Sequence, residues 1–143
     1  GDVAISLGQL LPHAEVIVVT TPQPAAAEVA ERSGLVARQT GQTVIGVVEN
    51  MAGLAQPDGS VLELFGSGGG ADAAARLSTP ESPVPVLASI PLSVALREGG
   101  DAGLPVVLGH PEDAAAVVIR SLAEFLATRE RGLAGRKLGL TVT

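Results

Sequence analysis

Three runs of branched apolar residues restrict what this chain can fold into more than any other feature: Glu15-Val-Ile-Val-Val-Thr20, Thr43-Val-Ile-Gly-Val-Val48, and Val84 to Ile90. None alternates apolar with polar side chains. A strand with one wet face must alternate with a period of two, so an unbroken run marks a strand covered on both faces, as in a parallel sheet. Aromatics make up only 1% of the residues, which leaves Val, Leu, Ile and Ala to fill the core.

Helical patterns fill the gaps between the runs. Val3 to Leu11 reads as a short amphipathic helix with Asp2 as its N-cap. Pro24 to Gln39 reads as a second helix, with Pro24 suited to its first turn and Thr40-Gly41 to its end. A polar loop, Ala52 to Ser60, precedes a short strand or hairpin arm at Val61 to Phe65. Gly66-Ser-Gly-Gly-Gly70 then opens a helix ending near Leu77. After the third run come Pro91, a helix from Leu92 to Glu98, and a turn-rich connector from Gly99 to Pro105. Pro111 starts a long final helix, with Ala115, Val118, Ile119, Leu122, Phe125 and Leu126 at three-and-four spacing.

Strands alternating with helices predict an α/β fold, a doubly wound parallel sheet. Residues 1–128 read as one domain portion and 129–143 as a basic, Gly-rich, flexible tail. Three strands are few for an open sheet. The chain also opens on Gly1-Asp2 without a Met, running straight into a helical pattern. Both features lead to the expectation that an N-terminal half precedes it.

Charge and composition exclude several functions. A formal charge of −6 gives no basic patch for counterion release, and there is no aromatic platform for bases, so nucleic acid is not expected as a partner. With no cysteine there is neither a disulfide nor a thiolate metal site, and His13 and His110 stand alone. No apolar run approaches the ~20 residues that span a bilayer, and no signal peptide opens the chain. The expectation is a cytoplasmic protein without a membrane partner.

In open α/β sheets ligands bind beyond the carboxyl ends of the strands. Three such tips are readable: Thr20-Thr21-Pro22-Gln23, Glu49-Asn50-Met51 and Ser89-Ile90-Pro91-Leu92. The Asn50 carboxamide offers a donor and an acceptor side by side, as an adenine edge does in reverse. Residues of this type also cap strands and turns, and both readings stand. The glycines from Gly66 to Gly70 fail as a phosphate loop. A Walker A loop ends in Gly-Lys-Ser/Thr, whereas Ala71-Asp72 follow here and the single lysine is Lys137, in the tail. They read as a flexible turn into a helix. Glu98 and Asp101 beside Gly99-Gly100 read as solvated acids, Arg97 as a helix-surface residue, and His13 and His110 as loop and helix-start residues.

Taken in order, these tips resemble the Mrp/ApbC branch of the deviant Walker A ATPases. The matching stretches are Gly1-Asp-Val-Ala-Ile-Ser-Leu7, Val18-Val-Thr-Thr-Pro-Gln-Pro24, Gly46-Val-Val-Glu-Asn-Met51, Phe65-Gly-Ser-Gly-Gly-Gly70, Ile90-Pro-Leu92 and Arg97-Glu-Gly-Gly-Asp-Ala-Gly-Leu-Pro105. The tail Arg129-Glu-Arg-Gly-Leu-Ala-Gly135 looks like the actinobacterial form. The resemblance implies a P-loop NTPase sheet whose lysine-bearing loop, Mg²⁺ ligands and catalytic carboxylate lie upstream, outside this chain. It implies that Asn50 contacts adenine, that Pro91 and Leu92 wall the base, and that Asp2 is a remnant of switch II. It further implies ATP bound between two subunits of a homodimer, and an iron–sulfur cluster delivered to apoprotein clients.

One departure is sharp. Many family members carry Cys-Pro-x-Cys shortly after Glu-Asn-Met, where this chain has Gln56-Pro57-Asp58-Gly59. Gln56 and Gly59 cannot replace thiolates at iron, so the sequence argues against cluster carriage by this loop. The leading expectation is the C-terminal part of a Mrp-type ATPase of iron–sulfur cluster assembly, with no hydrolysis by this chain alone. The first rival is a MinD/ParA-like scaffold that uses ATP to dimerise. A membrane-cycling member would need a C-terminal amphipathic helix, and glycines at 132, 135 and 139 oppose one. A flavodoxin-like binder leaves the ordered tips unexplained.

Overall fold

All three branched runs fold as strands of one sheet. The computed structural model describes residues 2–129, in the order α1 (Asp2–Leu10), β1 (Glu15–Thr20), α2 (Pro24–Gln39), β2 (Thr43–Asn50), β3 (Leu54–Ala55), β4 (Val61–Leu62), α3 (Gly69–Leu77), β5 (Val86–Ile90), α4 (Val94–Ala102), α5 (Val106–Gly109) and α6 (Ala114–Thr128). The sheet order is β1-β2-β5, and both pairings are parallel. The antiparallel pair β3-β4 forms a separate hairpin. Helices α2 and α3 are the crossovers that parallel neighbours require.

The core lies under those crossovers. Val18, Val44 and Val47 of the sheet meet Ala27, Ala30 and Ala37 of α2 and Ala73, Ala74 and Leu77 of α3. Alanine lets the helices approach closely, and Leu77 fills the space left over. It is fully buried, and a Cβ at Gly34 would stand 2.5 Å from its Cδ2. Helix α6 packs on β5, away from α2 and α3. The second face of β1 departs from the expectation of two covered faces. Val18 and Thr20 are buried, but Val19 between them is 62% exposed. Nothing among the described residues covers that side chain, although its residue type fits a covered strand.

Several boundaries differ from the sequence reading. Asp2 lies in the first turn of α1 and not ahead of it. Strand β2 runs on to Asn50 because its pairing with β5 continues to Ile90. Strand β5 starts at Val86, after Pro83 and Pro85, which have no N–H to give a ladder. Helix α4 starts at Val94, capped by the Ser93 hydroxyl, and continues through Gly99-Gly100, where a connector was expected. Gly99 passes so close to the Leu104 carbonyl that a Cβ would collide with it, so its role is packing and not helix breaking. The single turn α5 was not foreseen. Helix α6 starts at Ala114 and not at Pro111, since Asp113 caps it by accepting from Ala115 N at 2.9 Å.

Arg129 pairs with Glu15 at the start of β1. The rest of the expected tail, including Lys137, lies outside the described residues. No helix among the described residues is long and apolar enough to cross a membrane.

Candidate functional site at the carboxyl edge of the sheet

The register aligns the ends of all three strands. Thr20 is paired with Glu49 and Glu49 with Ser89, while Asn50 is paired with Ile90. The three tips read from the sequence therefore form one continuous edge. Two backbone bonds lock the second tip to the third: Ala52 N donates to Ile90 O at 2.9 Å, and Leu92 N donates to Gly53 O at 2.7 Å. Asn50, Pro91 and Leu92 are neighbours, and all are half-buried.

Asn50 caps a turn at the end of β2. Its Oδ1 accepts from Met51 N at 2.9 Å. Met51 has φ 60, the left-handed region, and is the only described residue other than glycine to adopt it. A backbone N–H can only donate, so this bond fixes which end of the carboxamide is oxygen. The oxygen keeps one lone pair and the amide keeps both hydrogens. The side chain can still present acceptor and donor together, but it cannot swap them.

The glycine segment turns into α3 as expected, with Gly66 at φ 81 and Gly68 at φ 88, but its last two glycines, Gly69 and Gly70, are also close-packed. A Cβ at Gly69 would run into the Thr21 carbonyl and stand 2.7 Å from the Pro22 oxygen. One at Gly70 would stand 2.8 Å from Glu49 Oε2. Gly69 N donates to Pro22 O at 3.0 Å and Gly70 N to Glu49 Oε2 at 2.7 Å. The start of α3 thus sits in a notch between the first and second tips. Sequence reasoning places Glu49 in the second tip but gives it no role. The available signal was an acid ending an apolar strand, ahead of a helix whose glycine N-cap supplies no side chain. Nor does it single out two hydroxyls of the first tip: Thr20 Oγ1 and Thr21 Oγ1 are buried without a hydrogen-bond partner, and Thr20 is only 5% exposed.

The stretch Gln56-Pro57-Asp58-Gly59 forms the turn of the β3-β4 hairpin. Gln56 N donates to Ser60 O at 2.8 Å, and Gly59 N to Gln56 O at 3.0 Å, with Gly59 at φ 85. Asp58 Oδ1 accepts from the Ser60 hydroxyl at 2.6 Å and from Ser60 N at 2.9 Å. These two bonds hold the Asp58 carboxyl below its usual range, the hydroxyl contributing most. The turn is closed by its own chain. Among the described residues no three His, Cys, Asp or Glu side chains converge as a metal site would need, and the loop has no soft ligand for iron.

Other candidates lie apart from this edge. No hydrogen bond or ion pair joins Asp2 to it among the described residues. Arg97 is 66% exposed on α4 and pairs with Glu98 at 3.2 Å and Asp101 at 3.7 Å, a solvated cluster. His110 ends α5 and faces Glu112 at 3.8 Å. An apolar groove of about 460 Å³ runs between the amino-terminal half of β5 and α6, with Ser121 its only polar side chain. It has no convergent polar groups to orient a ligand.

A parallel sheet with crossover helices and polar tips gathered at one edge is an architecture that P-loop NTPases share with other open α/β folds. The nucleotide-binding protein in complex with ADP from Archaeoglobus fulgidus superposes with TM-score 0.61 at 28% identity, over 80% of this chain and 44% of that one. MinD complexed with Mg-ADP from Pyrococcus horikoshii gives 0.60 at 27% identity, over 85% of this chain and 42% of that one. The ParA family model, described as NUBPL iron-transfer P-loop NTPase, matches residues 1–127, and the chain belongs to that family. The iron-sulfur cluster carrier protein of Mycobacterium tuberculosis is 56% identical over 144 aligned residues. The chain spans 38% of the length of that relative.

Proposed function

We propose that this chain is the base-binding portion of an ATP-binding, ATP-hydrolysing Mrp-type protein of iron–sulfur cluster assembly. It acts together with a Walker A half that these 143 residues do not contain. The observation that carries this reading is the fixed carboxamide of Asn50 beside the Pro91-Leu92 turn. Adenine offers an N6 donor beside the N7 acceptor, whereas guanine offers two acceptors, O6 and N7. A carboxamide free to turn could adapt to more than one edge. One pinned by Met51 N keeps the order that suits adenine. Pro91 and Leu92 give the base an apolar wall.

Phosphate and Mg²⁺ are gripped elsewhere in this reading, because the chain has no Gly-Lys-Ser/Thr loop. The chain alone hydrolyses nothing. The uncovered Val19 supports the same division, since a further layer of the protein would cover it. Cluster assembly follows from the relatives' name and from the family. The parent is a cytoplasmic homodimer that serves apoprotein clients. Any cluster it handles is cargo held by groups other than the Gln56–Gly59 turn.

The test is nucleotide affinity in the full-length protein. Asn50→Ala should weaken Mg-ATP binding about tenfold or more, in line with the ~1–3 kcal/mol of a paired base contact, and leave GTP binding nearly unchanged. Equal losses for both nucleotides would refute base reading. The thiolate-free turn favours one second reading, a MinD/ParA-like scaffold using ATP only to dimerise. Reconstitution with iron and sulfide separates the two. A stable chromophore on the full-length protein supports cluster handling, and none supports the scaffold.

A further inference from the structure

We infer that Glu49 is the positioning residue that holds Asn50 in place, by clamping the start of α3 against the edge of the sheet. The inference rests on the adenine reading of Asn50 and adds a residue to it. Gly68 is the N-cap of α3, with φ 88 and no side chain to satisfy the first N–H groups. The missing cap comes from the neighbouring strand. Gly70 N donates to Glu49 Oε2 at 2.7 Å, across 21 residues of sequence, and Gly69 N donates to Pro22 O at 3.0 Å. A carboxylate is well matched to that position, because the start of a helix carries partial positive charge.

The geometry leaves no slack. Side chains larger than hydrogen at Gly69 and Gly70 would meet the Pro22 carbonyl and the Glu49 carboxylate, at 2.7 Å and 2.8 Å. The helix therefore engages both tips at once, the backbone of the first and the side chain of the second. Successive strand residues point to opposite faces, so Glu49 reaches α3 while Asn50 faces the other side. Fixing Glu49 on one face fixes the backbone from which Asn50 projects on the other. The Ala52–Ile90 and Leu92–Gly53 bonds hold the same tip from the side of β5. Thr20, paired with Glu49 in the sheet, adds a buried hydroxyl without a partner on the clamped face.

The experiment compares ATP and GTP affinities of the full-length protein with thermal unfolding, in Glu49→Ala, Glu49→Gln, Glu49→Asp and Asn50→Ala. Glu49→Ala should lose most of the preference for ATP, about tenfold if the whole base contact is lost. Glu49→Gln keeps an acceptor for Gly70 N and should restore the preference to within about twofold of the parent, whereas Glu49→Asp, too short to reach, should not. Combining Glu49→Ala with Asn50→Ala should be no worse than Asn50→Ala alone, because both act on one contact. A merely structural glutamate would lower the unfolding temperature and leave the preference intact. That result, with Asn50→Ala losing the preference, overturns the inference and spares the adenine reading. If Asn50→Ala itself keeps the preference, the adenine reading falls and this inference with it. Should Glu49→Ala fail to fold, the contrast between the Gln and Asp variants decides.

Discussion

Two regions beyond the carboxyl end of β2 are held in opposite ways. The edge formed by Asn50, Pro91 and Leu92 is held by distant partners: Gly70 to Glu49, Gly69 to Pro22, Ala52 to Ile90 and Leu92 to Gly53. The Gln56–Ser60 turn is held from within its own hairpin, its hydrogen bonds running only between residues 54 and 60. The first region is coupled to the sheet, to α3 and to the core beneath. The second makes its hydrogen bonds within its own hairpin. On the proposed reading, this accounts for a chain that keeps Asn50, Pro91 and Leu92 while Gln56 and Gly59 stand where the resemblance leads one to expect thiolates.

Stability measurements on the full-length protein can break that contrast. The largest effect is expected at the far end of α3. Leu77→Ala removes a fully buried side chain and should cost about 2–5 kcal/mol in denaturant unfolding. Gly69→Ala, which forces a Cβ against the Pro22 carbonyl, should cost about 1–3 kcal/mol. It should weaken ATP binding as well. The hairpin should be indifferent by comparison. Pro57→Ala and Gln56→Ala should each stay within about 0.5 kcal/mol, with ATP affinity unchanged. A hairpin variant as costly as Gly69→Ala would show the two regions to be coupled after all.

The smallest effect concerns pH. The folded Asp58 carboxyl titrates below its unfolded value because the Ser60 hydroxyl and N–H donate to it. Its contribution is therefore complete above the ordinary value of about 3.9 and is lost as pH falls through the lower folded value. The Ser60 amide resonance should be flat from about pH 5 to 8 and move only below about pH 4. Asp58→Asn should remove that movement. A shift near neutrality would mean that some other group governs the turn.

What could be read from the sequence follows the same division between local and distant causes. The strands were legible because an unbroken apolar run has few alternatives, and α2 was legible to the residue because Pro24 and Thr40-Gly41 bracket it. The sequence ends helix α4 too early because Gly99-Gly100 reads as a breaker, whereas in the structure the Leu104 carbonyl lies against Gly99. The start of α6 was misplaced because Pro111 draws attention from the Asp113 cap. Asn50 could be chosen from its position after an apolar run. Its fixed orientation could not, since that depends on Met51 adopting a left-handed backbone. Glu49 was silent because its partner lies 21 residues away.

The most direct test of the account is a crystal structure of the full-length protein with Mg-ADP. The account predicts the adenine edge about 3 Å from both the Asn50 oxygen and its amide nitrogen, with the ring lying against Pro91 and Leu92. A base bound elsewhere, or one facing Asn50 while its carboxamide has turned away from Met51 N, would contradict it.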